Sequence, residues 1–588
     1  MSFTTRPTLR GSGGAVSAGH YLASTIGAEI LWEGGNAADS ACAMGLALQV
    51  LEPHMNGPAG EVPIIFFDAK TSKYHVICGQ GVSPASASVD KFVSLGLDRI
   101  PGSGLLGATV PGAFGAWCEL LERFGTTTFE RIATPALRLA REGFPNYGFL
   151  RDTLHLLSNK FKKFWPSSAE VYLPVSDIGD KVQNLKWADT LESLILISKS
   201  PGKSRDQGIR KVRDSFYCGK IAEEIESFMK IPACDDFGNL SRGLLSASDM
   251  SRHKTPVEPS VSLVYRNSTV HKCSFWSQGP VFLQQLQLLA GFDLSSMCSG
   301  TSDTLHTIVE AAKLAFADRE ACYGDPQFSQ IPEKLLLSEE YAEKRRILLN
   351  NDEASFEQRP GVGRLPAGWP WIEEGEIVPA EPQAFAASKG RGDTTHLDAV
   401  DTQGNMVSAT PSGAWIMSSP VIPSLGFPLG TRAQMFSLDP DHPNCVEPNK
   451  RPRTTLTPSM AELQDGRRIA FGTPGGDQQD QWTLQFFLEI VDFDPSQELQ
   501  AAIDAPTVHS LHMPSSFYPR TAKPGWMAAE SRIDAECIAD LSRRGHRIVQ
   551  SGPWEHGRVM AVTRNPDSGL CEAASSPRSG IAYSIVLP

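Results

Sequence analysis

Gly392-Asp393-Thr394-Thr395-His396 is the stretch on which the reading of this chain turns. Before it, from about 359 to 390, runs a segment rich in Pro, Gly and Glu with no hydrophobic period. After it, Thr394 to Val400 reads as a strand, Thr402-Gln403-Gly404-Asn405 as a turn, and Met406 to Thr410 as the returning strand. An irregular segment that enters a hairpin at a Gly-Asp-Thr-Thr step marks a place where a chain can be cut. A threonine freed there carries its own base, because an α-amine titrates near neutrality. The same letters also suit an ordinary turn before a strand, and by themselves they do not decide between the two.

Working outward, 588 residues are too many for one ordinary core, so two domains or lobes are expected. The 41% hydrophobic and 20% charged residues are those of a soluble globular protein, and no run approaches a membrane span. The polar, Gly-rich start from Met1 to Gly14 argues against a secretory signal. A net charge of -12, spread along the chain, disfavours nucleic acid as a partner. Eleven cysteines with no CxxC pair fit free thiols in a reducing compartment, so a cytoplasmic location is expected. His509 and His512 have a spacing found in some metal sites but lack a third ligand nearby, so neither a metal nor a cofactor is expected.

Along the chain, Ser17 to Leu51 reads as two helices broken at Glu33-Gly34-Gly35-Asn36, and Val62 to Phe67 with Tyr74 to Cys78 as two strands. Further helices open at Val110-Pro111-Gly112-Ala113, span Phe129 to Gly143, and span Thr304 to Cys322. The basic, turn-rich stretch Ser198 to Arg213 reads as a solvated surface insertion. A second hairpin, Ser459 to Leu463 with Arg467 to Phe471, leads into Gly472-Thr473-Pro474-Gly475-Gly476-Asp477. A helix follows, with Trp482, Phe486, Phe487 and Ile490 on one face. Glycines between a strand and a helix expose unpaired N–H groups at the positive end of the helix, a place for an anion or the oxyanion of acyl transfer. A glycine turn needed only for geometry fits as well. Asp477 reads as the helix N-cap.

Together these stretches resemble the γ-glutamyltranspeptidase family of N-terminal nucleophile hydrolases, in particular its acylase-like members. The likeness rests on Glu33-Gly34-Gly35-Asn36-Ala37, Val110-Pro111-Gly112, Ala140-Arg141-Glu142-Gly143-Phe144, Ala317-Asp318-Arg319 and Gly324-Asp325-Pro326. Its most specific parts are Thr394-Thr395-His396, Pro448-Asn449-Lys450-Arg451-Pro452 with Thr454-Thr455, and Pro474-Gly475-Gly476. The resemblance implies an α+β fold, a four-layer αββα sandwich with a helical lobe, made as one precursor. Self-cleavage between Asp393 and Thr394 would give a large subunit, 1–393, and a small catalytic subunit, 394–588. It further implies Thr394 as nucleophile and, after cleavage, α-amine base; Ser412 as the hydroxyl supporting it; Gly475 and Gly476 as the oxyanion hole; and Thr454 and Thr455 as donor contacts. The implied partner is a small-molecule amide. Nucleic acid and membrane are not expected, and assembly into a homo-oligomer is left open.

Departures from the family pattern bear on the substrate. Gln80-Gly81-Val82-Ser83-Pro84 stands where members acting on glutathione place an arginine for the donor carboxylate, so Gln80 replaces a cation. Met435 stands opposite the acid that holds the donor amino group, and Ala414 replaces an asparagine. Arg432 and Arg453 are the candidates to replace the lost charge, each weighed against a structural ion pair. Trp415 and Met417 are candidates for an apolar wall. The expectation is therefore an amidohydrolase or acylase whose acyl group is not γ-glutamyl. The alternatives are a γ-glutamyltransferase or glutathione hydrolase with rebuilt donor recognition, and an unprocessed pseudoenzyme acting as a binding protein.

Overall fold

The computed structural model describes residues 3–199, 204–369, 371–372 and 394–588. Two seven-stranded antiparallel sheets form its centre. In the first, the order is Tyr583–Val586, Ala15–Ala18, Leu397–Val400, Met406–Ala409, Val62–Asp68, Lys73–Gly79 and Val257–Pro259. In the second it is Leu9–Gly11, Cys571–Ser575, Met560–Arg564, Arg468–Gly472, Ser459–Glu462, Ser268–Lys272 and Val261–Tyr265.

Strand alternation decides what each face of the first sheet meets. Ile65 and Phe67 point inward, with Val400 and Met406, onto Met460, Ala470, Val562 and Ala573 of the second sheet. Ile64 and Phe66 point the other way, with Leu397, Ala399 and Val407, into a cluster with helix Ala37–Leu51 and helix Ala113–Phe124. A shift of register by one residue would exchange the two sets, so both buried faces fix the pairing. The second sheet presents Val270, Ala461, Ile469, Phe471 and Ala561 to Leu283, Leu286, Phe486 and Phe487 of its own helices. The chain is thus of mixed α+β class, with helices against both sheets.

Most elements lie where hydrophobic period and punctuation put them. Helices Tyr21–Trp32 and Ala37–Leu51 meet at the expected break, where Asn36 and Asp39 form a reciprocal capping box. The helix expected from Thr304 runs Ser302–Cys322. The stretch Ser198 to Arg213 departs from expectation. Ser204 and Gln207 form a capping box that starts helix Arg205–Cys218, and Ile209, Val212 and Phe216 bury its inner face. Arg210 and Lys211 lie on the outer face of that amphipathic helix, and residues 200–203 of the stretch lie outside the described residues. Helices Gly148–Phe164, Pro166–Tyr172, Leu185–Ser198, Arg205–Cys218 and Lys220–Met229 build a helical region against the first sheet's core.

Strands from before and after residue 394 interleave. Leu397–Val400 pairs with Ala15–Ala18 on one side and Met406–Ala409 on the other, and Met406–Ala409 then pairs with Val62–Asp68. Among the described residues, no helix is long and apolar enough to cross a membrane.

Candidate active site

Thr394 stands just before strand Leu397–Val400, an interior strand of the first sheet, and is 1% exposed. It bridges to Ser412, and Ser412 bridges in turn to Glu61, so three strands place three polar side chains side by side. The Thr394 hydroxyl lies 3.2 Å from the Ser412 hydroxyl. The backbone holds this row: Glu61 N–H donates to Ser412 O at 2.8 Å and Ser412 N–H donates back to Glu61 O at 2.9 Å. After Ser412 the chain turns through Gly413 at φ +78° and Ala414 at φ +49°. A Cβ on Gly413 would meet Glu61 Oε2 at 2.1 Å, so this position requires glycine. Ala414 holds a left-handed conformation that costs a non-glycine residue free energy, and such strain gathers at functional sites. Asp393, the residue expected to precede the cut, lies outside the described residues.

Arg432, on the 3₁₀ turn Arg432–Met435, closes over the row. Its guanidinium donates to Ser412 Oγ at 3.0 Å and to Glu61 Oε2 at 3.1 Å through Nε, with Nη2 3.0 Å from the same carboxylate oxygen. It also sits 5.2 Å from the centre of the Trp415 ring. Arg432 and Glu61 are each 1% exposed. Burial raises the Glu61 carboxyl above its ordinary value, against the pull of the Arg432 charge beside it. Arg453 is likewise spoken for: it pairs with Glu320 at 2.8 Å and donates to Arg319 O. Both arginines weighed as carboxylate receptors thus hold buried carboxylates of the protein itself.

Gly475 and Gly476 follow the edge of strand Arg468–Gly472, at φ +129° and φ +57°. Neither N–H donates to a backbone carbonyl among the described residues. Aromatic rings cover both glycines: an added Cβ would lie 2.1 Å from the Trp482 ring at Gly475 and 2.9 Å from the Phe517 ring at Gly476. Phe517 also packs on Trp415, 6.0 Å between ring centres, and so joins the glycine turn to the wall beside Arg432. Asp477 is not the N-cap expected of it. It lies inside the 3₁₀ turn Gly476–Gln478, takes Arg319 at 2.6 Å, and accepts Ser516 N–H at 2.8 Å. Gln278 accepts from the same Arg319 at 2.7 Å and aims its amide at the carbonyls of Gly476 and Asp477. The glycine turn is therefore anchored by a buried ion pair rather than by capping. Below it, Lys272 and Asp480 form a second fully buried pair at 2.9 Å.

Of the donor contacts, Thr454 is tied by its backbone to Trp276 and Gln278, while the Thr455 hydroxyl is buried and finds no partner among the described residues. Gln80 is 1% exposed, and both polar atoms of its amide lack a partner among the described residues. Its place follows from register: Val62 pairs with Gly79, and one step further along the two strands stand Glu61 and Gln80. His396 turns from Thr394 toward the second sheet, bonded to Thr410 and Asp398 at 2.9 Å each, with its ring on Gly472. Met417 is buried in the core of the first sheet. His509 accepts from Trp482 at 3.3 Å, and no group of three metal-binding side chains occurs among the described residues. Glu61 was missed by sequence reasoning. Its signal is a single charge inside Met55 to Phe67, a stretch otherwise apolar or Gly/Pro-rich, where a buried charge requires a partner.

A family model described as gamma-glutamyltranspeptidase matches residues 23–586. The glutathione hydrolase proenzyme of Bacillus subtilis (strain 168) is 29% identical over 98% of this chain and 92% of its own length. Among solved structures, LmbA2991HD superposes with a TM-score of 0.93 at 42% identity, covering 100% of both chains. A cephalosporin acylase from Bacillus halodurans superposes with a TM-score of 0.82 at 26% identity, covering 100% of this chain and 98% of that one.

Proposed function

This chain belongs to the gamma-glutamyltranspeptidase family, and from that premise we propose that it is a self-processing amidohydrolase or acylase with Thr394 as nucleophile. The single observation that carries the reading is the buried Thr394 hydroxyl 3.2 Å from Ser412, at the head of a strand. In the precursor, the Thr394 oxygen attacks the Asp393 carbonyl carbon and its proton passes to the departing nitrogen. The peptide C–N bond breaks as an ester forms. Water then hydrolyses the ester, releasing the Asp393 carboxylate and a free Thr394 amine. That amine takes the hydroxyl proton when the same oxygen attacks a substrate amide, and passes it to the leaving amine. An acyl-enzyme remains on Thr394 for water or an acceptor amine to resolve. The N–H groups of Gly475 and Gly476 serve the tetrahedral oxyanion. We read the stacked sheets as the four-layer αββα sandwich of N-terminal nucleophile hydrolases, with 1–393 and 394–588 as large and small subunits. Interleaved strands would hold the two together after the cut. The glutathione hydrolase relative is described as a proenzyme, which agrees with this.

The acyl group is read from charge. Arg432 and Arg453 each hold a protein carboxylate, and Gln80 replaces the family's donor-site cation. Gln80 and Thr455 offer neutral hydrogen-bonding groups without partners among the described residues. Neutral groups of this kind favour an uncharged polar acyl group over a carboxylate, because a carboxylate buried without a cation beside it pays its desolvation uncompensated. A panel of N-acyl p-nitroanilides tests this on the purified protein. Neutral acyl donors are expected to exceed γ-glutamyl-p-nitroanilide in kcat/KM by 100-fold or more, about the ratio that loss of a charge-assisted contact sets. Efficient turnover of the γ-glutamyl compound would instead favour the glutathione hydrolase reading.

A further inference from the structure

We propose that Arg432 is a positioning residue for the nucleophile, held in that role by Glu61. This rests on the reading of Thr394 and Ser412 given above. The guanidinium has five N–H donors and no acceptor, and it does not lose its proton. Ser412 Oγ, 3.0 Å from Arg432, must therefore accept from it. Thr394 Oγ1 donates to the same serine oxygen at 3.2 Å, so two donors converge on Ser412 Oγ. With its oxygen held in place by Arg432, Ser412 sets the direction of the Thr394 hydroxyl and so the orientation of the nucleophilic oxygen. An arginine contact thus fixes the acceptor that orients the nucleophile.

Glu61 supplies what makes this arrangement stable in a buried site. Its carboxylate takes Arg432 Nε at 3.1 Å and Nη2 at 3.0 Å, fixing the guanidinium plane. The pair is neutral overall, so no net charge faces the threonine amine. The Trp415 ring closes the other face of the guanidinium at 5.2 Å. Gly413 completes the fit, since any side chain there would displace the Glu61 carboxylate. Thr394, Ser412 and Glu61 being cross-strand neighbours, the sheet itself sets the spacing.

The test is the time course of self-cleavage of the full chain made by cell-free synthesis, which needs no external substrate. Fragments are counted by denaturing mass spectrometry. Ser412→Ala and the double variant Glu61→Gln/Arg432→Met are both expected to cleave about 100-fold more slowly than the parent, the order of loss when a reacting group is no longer held in its productive orientation. Removing both partners of a buried pair leaves no orphaned charge, so the double variant is expected to melt near the parent temperature. A purely structural ion pair predicts the opposite, a double variant that cleaves at the parent rate, and that result overturns the proposal. Arg432→Lys keeps a donor and the charge, and is expected within about tenfold of the parent. Should the double variant fail to fold, this lysine variant decides, and cleavage as slow as in Ser412→Ala overturns the proposal. Cleavage of Ser412→Ala at the parent rate would remove the Ser412 reading and this inference together. Slow Ser412→Ala beside a normal double variant removes this inference alone.

Discussion

Thr394→Ala is expected to remain one uncut chain of 588 residues and to lose turnover by on the order of 10⁵-fold or more, the scale seen when a sole nucleophile is deleted. One side chain performs both reactions, so both should vanish together. The neighbouring hydroxyl, Ser412, cannot substitute. It lies inside the chain and can never acquire the free α-amine that serves as base. Stability should change little, because losing the side-chain hydrogen bond to Ser412 costs about 1 kcal/mol. Thr394→Ser retains the hydroxyl and is expected to cut, though more slowly. Mass spectrometry with a steady-state assay on the best N-acyl donor checks all of this. Turnover of Thr394→Ala within tenfold of the parent would assign the chemistry elsewhere.

The second large effect is expected at Gly475. At φ +129° an alanine is strained, and its Cβ would stand 2.1 Å from the Trp482 ring, so either the ring or the peptide must move. Trp482 is 8% exposed and packed on His556 and His509, which leaves it little room. The peptide therefore moves, and with it the N–H groups of Gly475 and Gly476. Gly475→Ala should lower kcat about 10²- to 10³-fold with KM little changed, since the lost contact is made in the transition state. A melting temperature lower by several degrees is expected alongside. A normal kcat in a folded Gly475→Ala protein would place the oxyanion away from this turn.

Much of the fold was legible because its elements are locally consistent. Asn36 and Asp39 announce a helix start, and Ile64 to Phe67 can only serve a strand buried on both faces. Ser198 to Arg213 misled because its charges drew the eye from Ile209, Val212 and Phe216, whose spacing is helical and whose partners lie far away in sequence. The row Thr394, Ser412 and Glu61 shows the same limit at the site. Two of its members stand in recognisable stretches. The third becomes visible only when sheet register sets residues more than 300 positions apart side by side. Arg432 was read as a candidate receptor for substrate because a sequence shows a charge but not its partner. Asp477 was read as a cap for a related reason: its partner Arg319 lies 158 residues away.

The central claim is that the chain cuts itself to free Thr394. Denaturing mass spectrometry of the purified parent protein, with sequencing of the smaller fragment's first residues, tests it most directly. The expected result is two fragments meeting between Asp393 and Thr394, the smaller beginning Thr-Thr-His. A chain that stays whole on prolonged incubation, or a cut at any other bond, would contradict it.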